Sequence, residues 1–206
     1  MNLISLIFSD SFCKSTMNII KSIIFWVEGV GIIILCFPVI FITWLITMPF
    51  DRDRVVTHWL LIYQAVIISY LVPIWKIRVE GREKLAAGKT YVIICNHQSI
   101  LDILILNCLR YRYKWISKIE TLKVPVLGWY VKMAGYITVD RGDKESKEKM
   151  LEDAYKCLKR GISIMIFPEG TRSADKEIGF FKRGAFQLAV STGLPILPVL
   201  IDEVGS

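Results

Sequence analysis

Two long apolar stretches in the first part of the chain constrain its fold more than any other feature. Neither Gly29–Phe50 nor Val55–Trp75 contains an Asp, Glu, Lys or Arg residue. Each is close to the ~20 residues that a helix needs to cross the hydrocarbon core of a bilayer. A polar turn, PFDRDR (Pro49–Arg54), separates them. The pattern predicts two apolar helices that form a membrane-anchoring hairpin.

Two membrane arrangements are open, a pair of full spans or a re-entrant pair that enters one leaflet. The alternative is two buried core helices, and the length of each stretch without charge argues against it. The turn carries only Arg52 and Arg54, whereas more basic residues flank the outer ends, namely Lys14, Lys21, Lys76, Arg78, Arg82 and Lys84. By the positive-inside rule, these ends and the rest of the chain are expected on the cytoplasmic face of the membrane.

Composition narrows the class of partner. The formal net charge of +7 favours polyanions, either nucleic acid or anionic lipid head groups. The hydrophobic share of 53% favours lipid, so we expect a membrane-lipid partner and no nucleic acid. The five cysteines form no C-x-x-C pair, which predicts a reducing compartment without a disulfide framework or a zinc site.

From Lys76 onward, short apolar runs alternate with helix-like segments, which predicts an α/β layer fold. The predicted strands are KIRVEG, YVIICN, KWIS, YITVD, SIMIF and PILPVLI. The predicted helices are Ile100–Arg110, Lys123–Met133, Lys144–Arg160 and Ala185–Ser191, with Gly161 as a C-terminal cap. We therefore divide the chain into an anchoring hairpin (residues 1–75) and an α/β domain (residues 76–206).

Polar residues follow three of the predicted strands. Asn96 and His97 follow YVIICN, Arg141 follows YITVD, and PEGTR (Pro168–Arg172) follows SIMIF. Ligands of such folds bind beyond the carboxyl ends of the strands. These residues are therefore the candidates for a binding crevice.

His97 and Asp102 form a candidate catalytic pair. With His97 in a loop and Asp102 in the first helical turn, the carboxylate can accept the Nδ1 proton and leave Nε2 as a base. Alternatively, Ser99–Asp102 is a capping box and His97 is a structural histidine. These residues alone leave both interpretations open.

The stretch FPEGTRS (Phe167–Ser173) suits a phosphate. Gly170 allows the backbone to turn closely around a ligand, and Arg172 offers a forked cationic donor. The alternative is a surface turn with a solvated arginine. Lys118 and Arg141 also follow strands, and the three cations together favour an anionic ligand.

Other chemistries lack their motifs. GISIM (Gly161–Met165) lacks the second glycine of a nucleophile elbow, and no Walker or dinucleotide loop is present. One His with one Asp is too few ligands for a metal site. A base without a side-chain nucleophile indicates that a hydroxyl of the substrate attacks.

Four stretches resemble, in order, the motifs of the glycerolipid acyltransferases. NHQSILD (Asn96–Asp102) is similar to the N-H-x(4)-D motif and FPEGTRS to the E-G-T-R motif. Lys123–Arg141 resembles the second motif and Leu194–Ile201 the proline-containing fourth. The nearest resemblance is to the 1-acyl-glycerol-3-phosphate (lysophosphatidate) acyltransferase branch, over about Lys76–Ile201, and the apolar N-terminal pair resembles the anchors of bacterial members.

The resemblance implies a mixed sheet flanked by helices and a catalytic role for residues 76–206. It implies transfer of a fatty acyl group from acyl-CoA or acyl-carrier protein to lysophosphatidate, giving phosphatidate for phospholipid synthesis. His97 would be the general base and Asp102 would orient it. The acceptor's phosphate would be held by Arg172 with Gly170 and Thr171, helped by Arg141 and Lys118, while Glu169 orients these groups. No metal, prosthetic group or covalent acyl-enzyme is implied.

Two alternatives to this function are open. One is a related acyltransferase that acts on glycerol 3-phosphate or another lysolipid. The other is a non-catalytic lipid-binding membrane protein, against which the presence of His97, Asp102 and Arg172 argues. Because members of the family usually continue beyond the fourth motif, the catalytic part is expected to lack a C-terminal segment after Ser206.

Overall fold

The computed structural model describes residues 4–10, 16–71, 75–99, 101–171 and 179–203. The strands and longer helices follow in this order: β1 (Ile4–Asp10), α1 (Thr16–Thr47), α2 (Val55–Leu71), β2 (Trp75–Glu80), β3 (Val92–Cys95), α3 (Asp102–Asn107), β4 (Tyr113–Lys118), α4 (Leu127–Met133), β5 (Ile137–Val139), α5 (Lys144–Lys159), β6 (Ser163–Ile166), α6 (Gly184–Thr192) and β7 (Ile196–Glu203). Short 3₁₀ turns occupy Arg82–Lys84 and Ile119–Lys123.

The chain forms two compact units. The sheet unit contains Gly81–Ser99 and Tyr111–Leu200, and the helix unit contains Ser5–Glu80 and Ile100–Arg110. β2 and α3 therefore belong to the same unit as α1 and α2. The division of the sequence between residues 75 and 76 stays a prediction.

The sheet unit contains parallel strands in the order β7-β3-β6-β4-β5. In the central strand β3, Ile94 pairs with Ile166 of β6 on one side and with Pro198 of β7 on the other. All four residues of β3 are buried, as expected for a parallel strand that is covered on both faces. This arrangement explains why its sequence, VIIC, is continuously apolar rather than alternating.

Helices α5 and α6 cover one face of the sheet. Their buried residues pack with every second residue of β3 and β6 in one cluster that includes Val92, Ile94, Ala154, Cys157, Leu158, Ile164, Ala185, Leu188 and Ala189. Asp143 caps α5, since its carboxylate accepts the N–H groups of Glu145 at 3.3 Å and Ser146 at 2.9 Å. Gly161 follows the helix with a φ of 78°, which confirms the predicted glycine cap.

The helix unit contains an antiparallel strand pair as well as α1, α2 and α3. β1 pairs with β2, with Leu6 opposite Val79. Parallel and antiparallel pairings therefore both occur, which confirms the predicted mixed α/β fold. The sequence reasoning predicted β2 but missed β1.

The predicted polar turn joins α1 to α2. The Asp51 carboxylate caps α2 by accepting the N–H groups of Val55 at 2.9 Å and Val56 at 2.8 Å. The Arg54 guanidinium donates to the Met48 carbonyl oxygen at 3.1 Å. This turn thus satisfies the first amide groups of α2 with its own acidic residue.

The two apolar helices differ in length and exposure. In α1, Ile23–Thr47 is long and apolar enough to cross a membrane, and only 11% of its most apolar window is buried. The alternative of a buried core helix is therefore wrong for α1. The 17 residues of α2 span about 26 Å, less than the ~30 Å of a bilayer core. One side of α2 is buried and includes His58, Gln64 and Ser69.

Candidate active site

The parallel order of the strands brings four of the predicted site residues to one edge of the sheet. His97 follows β3, Glu169 follows β6, Lys118 ends β4 and Arg141 follows β5. These strands are neighbours in the order β3-β6-β4-β5. Because parallel strands present their carboxyl ends at the same edge, this edge is the candidate site.

Glu169 of the E-G-T-R motif accepts two backbone hydrogen bonds, and one of them comes from His97 of the N-H-x(4)-D motif. Its Oε1 accepts the backbone N–H of His97 at 3.1 Å, and its Oε2 accepts the backbone N–H of Gly179 at 3.0 Å. The residue is only 8% exposed, so both oxygens are used inside the protein. Hydrogen bonds to an ionised acceptor are stronger than neutral ones. Glu169 therefore fixes the backbone at His97 and at Gly179.

The His97 ring rests on an aromatic surface. It stacks on Phe167 with a centroid distance of 3.9 Å and an interplanar angle of 13°. Phe167 in turn stacks with Trp115 at 5.7 Å. Phe167 covers one face of the imidazole and leaves the ring edge, where the two nitrogens lie, uncovered by this contact. With its N–H bound to Glu169, His97 is held through its backbone and through its ring.

The turn after β6 follows the predicted close path. Gly170 has a φ of 75°, a left-handed conformation that favours glycine, and its N–H donates to the Phe167 carbonyl oxygen at 3.1 Å. Thr171 is exposed. Arg172, the predicted phosphate donor, lies outside the described residues.

The cations after the other two strands differ in environment. Lys118 forms an ion pair with Glu120 at 2.7 Å, with about half of each side chain exposed. The hydrogen bond from Lys118 lowers the pKa of the Glu120 carboxyl group. Arg141 is half-buried beyond β5. Both residues occupy the predicted strand ends.

Asp102 belongs to the helix unit, where it is the first residue of α3 and is 3% exposed. Leu101 is the N-cap residue of this helix. The capping-box interpretation of Ser99 and Asp102 stays open beside the catalytic one. The predicted pairing of Asp102 with His97 stays a prediction.

The sequence reasoning missed three side chains at this edge. In the sequence, Phe167 is only the end of a predicted strand and Trp115 only an apolar strand residue. Lys182 was not considered, although its N–H donates to the Pro168 carbonyl oxygen at 2.9 Å. The aromatic residues could have been found by asking what supports the His97 ring. Lys182 carries no such signal, because it lies ten residues beyond Arg172.

Comparison with known proteins identifies the family. Residues 76–202, more than half of the chain, match the model of the family described as Acyltransferase. The chain belongs to the acyltransferase family. The chain is 39% identical over 157 residues to a chloroplastic 1-acyl-sn-glycerol-3-phosphate acyltransferase of Brassica napus, and the match covers 76% of the chain and 45% of that relative.

Two further comparisons come from bacteria. A Pseudomonas aeruginosa 1-acyl-sn-glycerol-3-phosphate acyltransferase is 36% identical over 122 residues, which are 59% of this chain and 47% of the relative. The chain thus spans about half the length of these curated relatives. The crystal structure of the 1-acyl-sn-glycerophosphate acyltransferase PlsC of Thermotoga maritima has the same fold. Its TM-score is 0.66 at 21% identity, over 89% of this chain and 81% of that one.

Proposed function

We propose that this acyltransferase transfers a fatty acyl group to the free hydroxyl of 1-acyl-glycerol 3-phosphate and so forms phosphatidate. The relatives named above are 1-acyl-sn-glycerol-3-phosphate acyltransferases, and the resemblance covers the sheet edge that carries His97. The donor is a thioester, either acyl-CoA or acyl-carrier protein. The product enters phospholipid synthesis.

The observation that carries the proposal is the hydrogen bond from His97 to Glu169. It joins a candidate base to the turn of the E-G-T-R motif at the carboxyl ends of adjacent strands, so a hydroxyl and a phosphate of one acceptor can be held together. Lysophosphatidate has both groups on a single glycerol unit. A site that bound only a hydroxyl, or only a phosphate, would not need His97 and the E-G-T-R turn to be joined.

In the proposed reaction, His97 removes the proton of the acceptor hydroxyl as its oxygen attacks the thioester carbonyl carbon. The carbon–sulfur bond then breaks, and the leaving thiolate takes from the His97 imidazolium the proton that came from the hydroxyl. Asp102 orients the imidazole and stabilises its protonated form. Arg172, Gly170 and Thr171 bind the acceptor's phosphate, and Arg141 and Lys118 add positive charge.

The apolar helices suit an amphipathic acceptor. α1 exposes large side chains along its length, including Leu35, Val39 and Ile46. An anchor of this kind holds the enzyme at the membrane, where the acceptor resides. We propose that the catalytic residues face the cytoplasm, from which a soluble thioester reaches them.

Purified full-length protein tests the proposal with lysophosphatidate, glycerol 3-phosphate and another lysolipid, each with both donor types. We expect phosphatidate to be the main product. Replacement of His97 by Ala should lower the rate by roughly 10²- to 10⁴-fold, the usual contribution of a general base. Asp102→Asn should also be severe. Unchanged turnover in His97→Ala would refute the mechanism, and preference for another acceptor would refute the assigned substrate.

A further inference from the structure

The side chain of Lys182 lies directly against the turn of the E-G-T-R motif. A Cβ atom built on Gly170 would lie 2.9 Å from Lys182 Cε and 3.2 Å from Cδ, and it would also collide with Nζ. A Cβ atom at residue 170 would therefore require the end of the Lys182 side chain to move. The left-handed backbone favours glycine at residue 170, and the end of the Lys182 side chain lies close beside it.

The backbone that carries Lys182 is fixed on the same turn. Its N–H donates to the Pro168 carbonyl oxygen at 2.9 Å, and three residues earlier the Gly179 N–H donates to Glu169 Oε2 at 3.0 Å. Both ends of the segment 179–182 are thus bound to Pro168 and Glu169. This anchoring determines where the four-carbon stem starts, so the ammonium group is brought to the turn rather than left on a mobile loop.

The ammonium group is available to a ligand. Lys182 is exposed, and the described part of the chain offers no ion-pair or hydrogen-bond partner to its Nζ. Lys118, by contrast, already binds Glu120. A cation beside a glycine turn, with no counter-ion among the described residues, suits a phosphate oxygen.

We propose that Lys182 binds the phosphate group of the acyl acceptor. This inference rests on the proposed function and adds to it a residue from outside the four motifs. Lys182 contributes to acceptor affinity, because its Nζ lies beside Gly170 in the turn of the E-G-T-R motif. The phosphate of lysophosphatidate is then held by the turn from one side and by Lys182 from the other.

The test compares Lys182→Gln with Arg183→Gln in the full-length protein. Arg183 is the neighbouring exposed cation at the start of α6, so the control removes the same charge from nearly the same place. We expect Lys182→Gln to raise the KM for lysophosphatidate about tenfold, the lower end of what a charge-assisted hydrogen bond contributes. The kcat and the KM for the thioester donor should change little, and Arg183→Gln should resemble the wild type.

Three results would overturn the proposal. An equal rise in KM for both variants would indicate a general surface potential. A rise for the donor alone would indicate that Lys182 binds the donor's phosphates. An unchanged acceptor KM would show that Lys182 has no role in binding.

Direct binding separates this proposal from the proposed reaction. Calorimetric titration of short-chain lysophosphatidate into each protein, without donor, needs no turnover. Weaker binding by Lys182→Gln supports the lysine's role even if acyl transfer fails, and equal binding overturns it. In a second comparison, Gly170→Ala should weaken binding in the wild type by displacing the lysine. In the Lys182→Gln protein, the same Gly170→Ala change should weaken binding much less. No lysine is then present to be displaced, and only the backbone strain at residue 170 acts.

Discussion

Replacement of Glu169 by Gln tests whether this carboxylate positions His97. Glutamine keeps one oxygen but turns the other into an NH₂ group that faces a backbone N–H, either that of His97 or that of Gly179. One charge-assisted hydrogen bond is lost and the other becomes neutral. Since a bond to a charged group contributes about 1.5–3 kcal/mol and a neutral one about 1 kcal/mol, we expect a loss of about 2–5 kcal/mol in unfolding free energy.

Thermal unfolding of the detergent-solubilised protein measures this loss. For a chain of this size, it corresponds to a fall in Tm of about 10 °C. Glu152→Gln is the matched control, because Glu152 is an exposed residue of α5 whose only described ion pair is with Lys156. Removing such a surface pair should leave the Tm nearly unchanged, because exposed ion pairs contribute little to stability.

Kinetics below the unfolding range separate positioning from stability. If Glu169 holds the His97 backbone in place, Glu169→Gln should lower kcat about 10- to 100-fold while the protein is fully folded, since small misplacements of a catalytic group are costly. A lower Tm with normal kcat would show that Glu169 stabilises the fold and does not position His97 for catalysis. Normal Tm together with normal kcat would refute the importance of both hydrogen bonds.

Two further predictions concern phosphate recognition and the anchor. Arg172→Lys keeps the charge but loses the planar fork, so affinity for lysophosphatidate should fall far more than affinity for an acceptor without phosphate, and an equal fall for both would contradict the phosphate role. The full-length protein should resist extraction from membranes by high salt or alkaline carbonate, because α1 exposes an apolar surface along 25 residues. Release by salt alone would contradict a membrane-embedded α1.

Much of the sheet unit could be predicted, because its signals are local. Each short apolar run from YVIICN to PILPVLI forms a strand, and the amphipathic pattern of α5 gives nearly the predicted bounds. The positions of His97, Glu169, Lys118 and Arg141 at strand ends then follow from the α/β alternation. Strand order could not be predicted, since it depends on pairings between distant segments.

The errors have identifiable causes. β1 was missed because its partner, β2, lies about seventy residues away, and nothing within Ile4–Asp10 specifies that pairing. Helix α4 begins at Leu127 rather than at Lys123, because Pro125 favours an extended conformation at Val124, whose ψ is 121°. Lys182 was missed because only the folded path from Gly179 back to Pro168 brings it to the motif.

The position of β3 between β6 and β7 has a consequence for how the protein is made. Val92 pairs with Ile164 on one side and with Ile196 on the other, so both neighbours of the central strand are synthesised long after it. At a translation rate of about 5–20 residues per second, the apolar segment VIIC waits several seconds without a partner. An unpaired apolar strand is a template for aggregation. The emerging chain therefore depends on protection of this segment until the ribosome has delivered β7, and slower translation after β3 should increase misfolding rather than relieve it.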